Sequence, residues 1–191
     1  MRPGIQAVPS VASPLSLGPM AQSWRPPNER WSTDLARVWT GKDGLASPAL
    51  VIDCHTGKLL GRHLSRSGKA TAASAALEHA LNARVGALRR VAEEFLLRSG
   101  NGLVFASRHF TAIVRSHGLK QAFITLHCPR QNGMVERVIR TLKEQRIHRH
   151  RFESIRHATR INGDWISFLN NRRPHQALAM RRPARAFRLA A

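Results

Sequence analysis

The sequence has few cysteines and lacks the short motifs that hold metals or nucleotides through a fixed local spacing. Its 191 residues include only two cysteines, Cys54 and Cys128, which cannot form the disulfide framework of a small secreted domain. No Cys-x-x-Cys pair and no pair of histidines separated by three to five residues occurs, which argues against a zinc site. The sequence also contains no Walker loop and no dinucleotide-binding glycine fingerprint.

Acidic residues are scarce as well. Only 11 residues are Asp or Glu, against 31 that are Lys or Arg, and the formal net charge is +20 at pH 7. A surface this basic attracts polyanions and releases their counterions on binding. We therefore expect DNA or another nucleic acid as the partner. The alternative is an ordinary solvated basic surface or a ribosomal-type protein.

Long apolar runs are missing too. No uninterrupted apolar run approaches the roughly 18 residues that a membrane-spanning helix needs. The apolar residues near the N-terminus are interrupted by Pro9, Pro14 and Pro19, which argues against a signal peptide. We therefore expect no membrane partner and a cytoplasmic location.

Composition divides the chain into three segments. Residues 1–29 are rich in Pro, Ser, Gly and Ala without periodicity, which indicates a disordered arm. Residues 30–187 carry the strand and helix patterns of one domain with its own core, and residues 188–191 form a short tail.

The hydrophobic pattern predicts an α/β fold. Three strands are predicted first, joined by turns as an antiparallel meander, over residues 31–39, 49–54 and 59–64. Helices and strands then alternate, with helices over 71–85, 107–118, 133–150 and 155–169 and strands over 95–97 and 122–126. This order predicts a mixed sheet, made of the three-strand antiparallel meander plus two further strands, with helices on both faces.

Three sequence blocks carry the strongest functional signal. The first, Trp31-Ser32-Thr33-Asp34, lies in the first predicted strand. The second, Gln131-Asn132-Gly133-Met134-Val135-Glu136-Arg137, opens the helix predicted over 133–150, and the third spans residues 170–178. Together they resemble the integrase catalytic core of bacterial insertion-sequence transposases, the Asp-Asp-Glu enzymes of the retroviral-integrase superfamily. The resemblance covers about residues 31–187 and implies a ribonuclease-H-like fold.

The resemblance implies that Asp34 and Glu136 are catalytic, metal-binding residues. Mg²⁺ or Mn²⁺ is the implied cofactor, because hard cations take oxygen ligands and serve phosphodiester chemistry. The second acid of the family normally precedes Asn-Gly, yet Gly100 occupies that position before Asn101-Gly102. The 35 residues from 101 to 135 separate Gly100 from Glu136, which is the spacing typical of the family. We therefore expect an incomplete triad, weakened metal binding and impaired activity.

Each acidic residue also has a structural alternative. Asp34 would otherwise be a surface acid on a strand, and Glu136 would pair with Arg140 one helical turn away. Asp53 would compensate for Gly100 if the first hairpin placed it opposite Asp34. Its alternative role is to hydrogen-bond the turn that follows it.

The helix predicted over 133–150 is basic. Glu136, Arg140 and Lys143 lie at positions i, i+4 and i+7, which puts them on one face. We expect Arg137, Arg140 and Lys143 to contact DNA phosphates, the alternative being an ordinary solvated helix. Residues 170–178 are expected to tie the last predicted helix to the core through bonds from side chains to the backbone.

These observations predict a transposase/integrase-type domain for DNA integration, from a bacterial and cytoplasmic setting. DNA is the expected partner, and a second copy or an intact transposase is the expected oligomeric partner. Whether the chain is an enzyme stays open, because the triad is incomplete. The alternative function is a non-catalytic DNA-binding or inhibitory ribonuclease-H-like module from a degenerate insertion element.

Overall fold

The computed structural model describes residues 29–85, 96–125 and 129–190. The predicted arm over 1–29 lies outside these residues except for Glu29, and the predicted tail is described as far as Ala190. The predicted domain boundaries therefore stay predictions. In the described part of the chain, no helix is long and apolar enough to cross a membrane.

Strands and helices alternate along the described chain. The strands are β1 (Arg30–Leu35), β2 (Val38–Trp39), β3 (Leu45–Asp53), β4 (Leu59–Ser65), β5 (Leu96–Ser99) and β6 (Lys120–Phe123). The helices are α1 (Ala70–Val85), α2 (Leu103–Ala106), α3 (Arg108–Ser116), α4 (Gly133–Gln145), α5 (Ile155–Asn171) and α6 (Pro183–Ala190). Single 3₁₀ turns lie at Gly41–Asp43, Pro129–Asn132, Ile147–Arg149 and Gln176–Leu178.

The strands form one mixed sheet with β1 in the middle. Strand β3 pairs antiparallel with β1 on one side and with β4 on the other. On the far side of β1, β5 runs parallel to β1 and β6 runs parallel to β5. This arrangement confirms the predicted antiparallel meander plus two further strands.

Helices cover both faces of the sheet, as predicted. Ala49 and Val51 of β3 pack in a core with residues of α1 and α3, whereas Leu50 and Ile52 pack with residues of α4 and α5. Successive strand residues point to opposite faces, so a strand covered on both faces needs a continuous apolar run. Eight of the nine residues of β3 are accordingly buried.

Several boundaries differ from the prediction. The predicted strand over 31–39 is interrupted between β1 and β2, opposite Pro48 of β3, which has no N–H to donate to the ladder. The predicted strand over 122–126 begins earlier, at Lys120, and Leu126 lies outside the described residues. Helices α2 and α6 were not predicted. The first is a single turn, and the second begins at Pro183, a residue suited to the first position of a helix.

The predicted helix over 133–150 is also shorter in the structure. Helix α4 ends at Gln145, and a 3₁₀ turn follows at Ile147–Arg149. The side chains of Arg149 and His150 contact the backbone carbonyls of Glu144 and Arg146, both at 3.0 Å. Basic side chains bonded to the last carbonyls replace the hydrogen bonds that a longer helix would have made.

Asp43 joins the connection between β2 and β3 to the start of α5. Its Oδ2 accepts a hydrogen bond from the N–H of Ile155 at 2.8 Å, and it forms a salt bridge with Arg66. The hydrogen bond from Ile155 is the main cause that holds the pKa of Asp43 below its ordinary value. The ionised carboxylate is therefore the form that stabilises this end of the fold.

We expect Asp43→Asn to lower the melting temperature by a few degrees at neutral pH and to flatten its acid dependence. A depressed carboxyl pKa contributes stability above the unfolded-state pKa, and this contribution is lost as the pH falls through the folded-state pKa. The difference in melting temperature between the variant and the native chain should therefore disappear at acid pH. Thermal unfolding followed from neutral to acid pH measures it, with Glu78→Gln on the exposed side of α1 as the control. A gap that stays constant with pH would contradict the expectation.

Candidate active site

Asp34 lies on the central strand of the sheet. It pairs with Leu50 of β3, and Leu50 packs in the core beneath α4 and α5, so the carboxyl group of Asp34 faces the same side. Its Oδ1 accepts a hydrogen bond from the N–H of Leu35 at 2.8 Å. Asp34 is half-buried, which leaves part of its carboxyl group open to a ligand.

Glu136 lies in the first turn of α4. Val135, Ile139 and Leu142 form the buried stripe of this helix, which packs against β1 and β3. Glu136 follows Val135 directly and is half-buried at the edge of that contact. Packing of the apolar stripe therefore sets the direction in which the carboxylate points.

Helix α4 packs against β1, and the charge of Glu136 is close enough to act on Asp34. Burial is the main cause that raises the pKa of Asp34, and the hydrogen bond from Leu35 opposes it. The negative charge of Glu136 raises the pKa further, and the positive charge of Lys143 lowers it. Two carboxylates that repel each other in a half-buried position favour a proton or a cation beside them.

Gly100 directly follows β5, which ends at Ser99. The last pair of the parallel ladder between β1 and β5 joins Ser32 to Arg98, and extending that register by two residues puts Gly100 opposite Asp34. Apart from Gly100 and its two neighbours in the chain, no described heavy atom lies within 4 Å of the place where a Cβ atom of residue 100 would be. Gly100 also has no positive φ, so its backbone conformation suits a residue with a side chain. Glycine itself has no side chain and therefore supplies no side-chain oxygen ligand.

Asp53 does not compensate for Gly100, and the register expected for it is wrong. Asp53 pairs with Trp31, three residues before Asp34, because the hairpin turns about Lys42 in a 3₁₀ turn. Its Oδ1 accepts hydrogen bonds from the N–H and the hydroxyl of Thr56, at 2.8 and 2.7 Å. The alternative role, a bond to the following turn, is the one observed.

The donor set fits a divalent cation only in part. Asp34 and Glu136 offer hard oxygen ligands of the kind that Mg²⁺ and Mn²⁺ prefer. The third position is open space at Gly100, and nowhere in residues 29–85, 96–125 and 129–190 do three or more His, Cys, Asp or Glu residues gather as a metal site. Cys54 belongs to no such group, and Cys128 lies outside the described residues.

Gln131 fixes the start of α4, which sequence patterns did not indicate. Its backbone carbonyl accepts a hydrogen bond from Nη1 of Arg98 at 2.9 Å, and its side-chain Oε1 accepts one from the N–H of Thr125 at 2.8 Å. These bonds connect β5 and the segment that follows β6 to the turn before α4. Gln131 belongs to the second sequence block, but no local spacing in the sequence indicates these two partners.

The basic residues predicted on α4 occupy different environments. Arg137 and Arg140 are exposed, whereas Lys143 is half-buried and close enough to lower the pKa of Asp34. Among the described residues, no salt bridge joins Glu136 to Arg140, so the structural alternative for Glu136 is not formed. Arg137 and Arg140 are therefore free to meet an external anion.

Asn170 ties α5 to the edge strand β4, as expected for the C-terminal block. Its Oδ1 accepts a hydrogen bond from the N–H of Leu59 at 2.9 Å, and its Nδ2 donates one to the carbonyl of Leu59 at 2.8 Å. These two hydrogen bonds resemble the ones that a neighbouring strand would form with Leu59, and they attach the end of α5 to the sheet.

Comparison with known proteins finds similarity to an integrase family model and to proteins of insertion elements. Residues 117–183 match the family model described as "Integrase core domain". The chain is 31% identical over 88 residues to an uncharacterized 39.2 kDa protein of insertion element IS476 from Xanthomonas euvesicatoria, covering 46% of this chain and 25% of that protein. It is 30% identical over 90 residues to an uncharacterized protein of insertion element IS136 from Agrobacterium fabrum, covering 47% of this chain and 46% of that protein. The chain thus spans less than half the length of these relatives.

Solved structures share the fold. The HTLV-2 integrase catalytic core domain in complex with magnesium, in its trimeric form, superposes with a TM-score of 0.62 at 15% identity, covering 84% of this chain and 97% of that chain. The catalytic core domain of BIV integrase gives 0.60 at 15% identity, covering 85% and 95%. The described chain has the fold of integrase catalytic core domains. This is the ribonuclease-H-like fold that the resemblance implied.

The match to the integrase family model covers only part of the chain. Residues 117–183 include Glu136 and the basic residues of α4 but neither Asp34 nor Gly100. The roles of Asp34, Glu136, Arg137, Arg140 and Lys143 therefore stay predictions, supported by the geometry described above.

Proposed function

We propose that this chain is the core portion of an insertion-element transposase, acting on DNA in the bacterial cytoplasm, with strongly impaired DNA cleavage and strand transfer. One observation carries the proposal. Asp34 and Glu136 meet on one face of the sheet, beside a Gly100 that supplies no third carboxylate.

Asp34 and Glu136 are the residues that would hold Mg²⁺ or Mn²⁺. When bound, such a cation supplies Lewis-acid assistance to in-line displacement at a phosphodiester. The chain's own contribution is orientation, because β1 fixes Asp34 and Gln131 fixes the helix that carries Glu136. Each ~1.4 kcal/mol of lost transition-state stabilisation lowers the rate tenfold, so a missing ligand worth several kcal/mol should cost about a thousandfold or more.

DNA is the proposed partner for two reasons. The net charge of +20 favours a polyanion, and the relatives that match the chain come from insertion elements. Assembly with a second copy or with an intact transposase is part of the proposal, and the HTLV-2 integrase core is known in dimeric and trimeric forms. The second candidate function is a non-catalytic DNA-binding module, and the same Gly100 favours it. It differs from the impaired transposase only in having no residual strand-transfer activity.

We expect the native chain to bind duplex DNA with an affinity that falls steeply as salt rises. Arg137→Ala combined with Arg140→Ala should lower the affinity about tenfold or more and reduce the log–log salt slope by up to about 2, because each phosphate contact contributes close to one unit. Fluorescence anisotropy with a labelled duplex over a salt series measures both quantities.

The matched control combines Arg108→Ala with Arg115→Ala. These exposed arginines lie on α3, across the sheet from α4, and their removal changes the net charge by the same amount. A native chain that fails to bind DNA at low salt would overturn the proposal. Equal losses for the two double variants would show that binding is diffuse and that α4 has no special role. Residual strand transfer that requires Asp34 separates the impaired enzyme from the non-catalytic module.

A further inference from the structure

A basic cleft lies between α5 and β4, the edge strand of the sheet. Its volume is about 590 Å³, and its polar lining consists of Arg62, Arg156, Thr159, Arg160, Asp164 and Ser167. Arg62 comes from β4 and the other five come from one face of α5. We refer to it as the β4–α5 cleft.

Arg62 is seated in this cleft by a glycine. A Cβ atom on Gly163 would lie 2.7 Å from Nη1 and 2.8 Å from Nη2 of Arg62, so the guanidinium group occupies space that any other residue would fill. Gly163 lies in the interior of α5, where glycine is unfavourable for the helix. The helix therefore gives up local stability at the point where it admits a cationic group.

The positive charge of the cleft is only partly balanced by acidic residues of the protein. Across the described ranges, none of Arg62, Arg156 and Arg160 forms a salt bridge, and none of the three guanidinium groups donates a hydrogen bond. Arg156 and Arg160 are one helical turn apart, where like charges repel. Asp164 is exposed and supplies one negative charge against three positive ones. An external anion would relieve this repulsion.

We infer that the β4–α5 cleft binds the phosphodiester backbone of DNA, as a contact separate from the Asp34–Glu136 pair. The planar guanidinium group matches phosphate oxygens in a bidentate way, and the roughly 6 Å rise between Arg156 and Arg160 offers two such groups in a line. Arg62 pairs with Leu50, and Leu50 pairs with Asp34, so all three lie on one face. Two strand spacings separate the Cα atoms of Asp34 and Arg62 by roughly 10 Å. The cleft thus holds DNA on the same side of the sheet as the acidic pair. The inference rests on the proposed function, in that DNA is the ligand.

Two variants of the full chain probe the cleft by different means. Arg156→Ala combined with Arg160→Ala removes charge, and Gly163→Ala displaces the guanidinium group of Arg62 without changing charge. In anisotropy titrations with a labelled duplex, we expect the double variant to lose about tenfold or more in affinity and up to about 2 units of salt slope. We expect Gly163→Ala to lose severalfold in affinity while its melting temperature stays equal to or above that of the native chain. The control is again Arg108→Ala with Arg115→Ala.

The possible outcomes separate this inference from the proposed function. Cleft variants that bind DNA as tightly as the α3 control, while the Arg137 and Arg140 variant loses affinity, would overturn the inference and leave the proposed function standing. A native chain that binds no DNA overturns both. If light scattering shows that the cleft variants change the oligomeric state with no loss of DNA affinity, the cleft is a protein interface and the inference is wrong.

Discussion

Gly100→Asp is expected to raise Mg²⁺-dependent strand transfer about a thousandfold or more above that of the native chain. The physical reason is the completion of a three-carboxylate oxygen site, which recovers several kcal/mol of transition-state stabilisation at ~1.4 kcal/mol for each factor of ten. The comparison isolates one ligand, because every other residue of the site is unchanged.

The structure offers no steric obstacle to this substitution. The position of a Cβ atom at residue 100 is empty to 4 Å, and the backbone there has no positive φ. The parallel register, extended by two residues beyond its last pair, puts residue 100 opposite Asp34, and paired residues of neighbouring strands face the same side of a sheet. The new carboxylate should therefore point toward the side on which Asp34 and Glu136 already lie.

Strand transfer measured with a labelled donor duplex and the purified full chain is the primary readout. Gly102→Asp is the matched control, since its Cβ position is equally empty and it adds the same charge two residues away. Asp34→Asn in the Gly100→Asp background should abolish the gain. The melting temperature should rise with Mg²⁺ or Mn²⁺ more in Gly100→Asp than in the native chain, because a ligand that binds only the folded state stabilises it. Equal strand-transfer activity of the native chain and Gly100→Asp would contradict the proposal that Gly100 limits this activity.

Local sequence patterns predicted the elements whose boundaries depend on local chemistry. A helix was predicted to open at residue 107, and Ser107 caps α3, because its Oγ accepts a hydrogen bond from the N–H of Phe110 at 3.3 Å. A strand was predicted over residues 49–54, where the apolar run over 49–52 matches the burial of β3 on both faces. The convergence of Asp34 and Glu136 followed from the resemblance, since a strand and a helix far apart in sequence have no local pattern that joins them.

What the sequence could not predict depends on packing between distant segments. The residue of β1 that pairs with Asp53 depends on whether the hairpin turns at Lys42 or one to two residues later. The two possible turns pair Asp53 with different residues. The hydrogen bond from Arg98 to Gln131 and the seating of Arg62 against Gly163 each join elements whose separation no periodicity encodes. Such contacts depend on how distant elements pack in the folded core. The structural role of a glycine in such a contact therefore cannot be predicted from its neighbours in the sequence.

Gly61 is the clearest such glycine, and we expect Gly61→Ala to cost about 3 kcal/mol or more in unfolding free energy. A Cβ atom at this position of β4 would overlap the backbone carbonyl oxygen of Ala76 in α1 and would lie 2.8 Å from Cβ of Ala80. The obstacle is mostly helix backbone, which cannot move aside as a flexible side chain does, and overpacking a tight core typically costs 1–3 kcal/mol, occasionally more. Helix α1 would have to shift away from the sheet.

Thermal unfolding should show this loss as a fall in melting temperature of roughly 6–12 °C, since 1 kcal/mol corresponds to about 2–4 °C in a chain of this size. Gly102→Ala is the control, because nothing lies within 4 Å of its Cβ position and its melting temperature should stay within about 2 °C of the native value. If Gly61→Ala unfolds at the native temperature, α1 does not rest on β4 as closely as described. The same variant should lower DNA affinity only at temperatures where the fold is lost, because α1 covers the face of the sheet opposite α4 and α5.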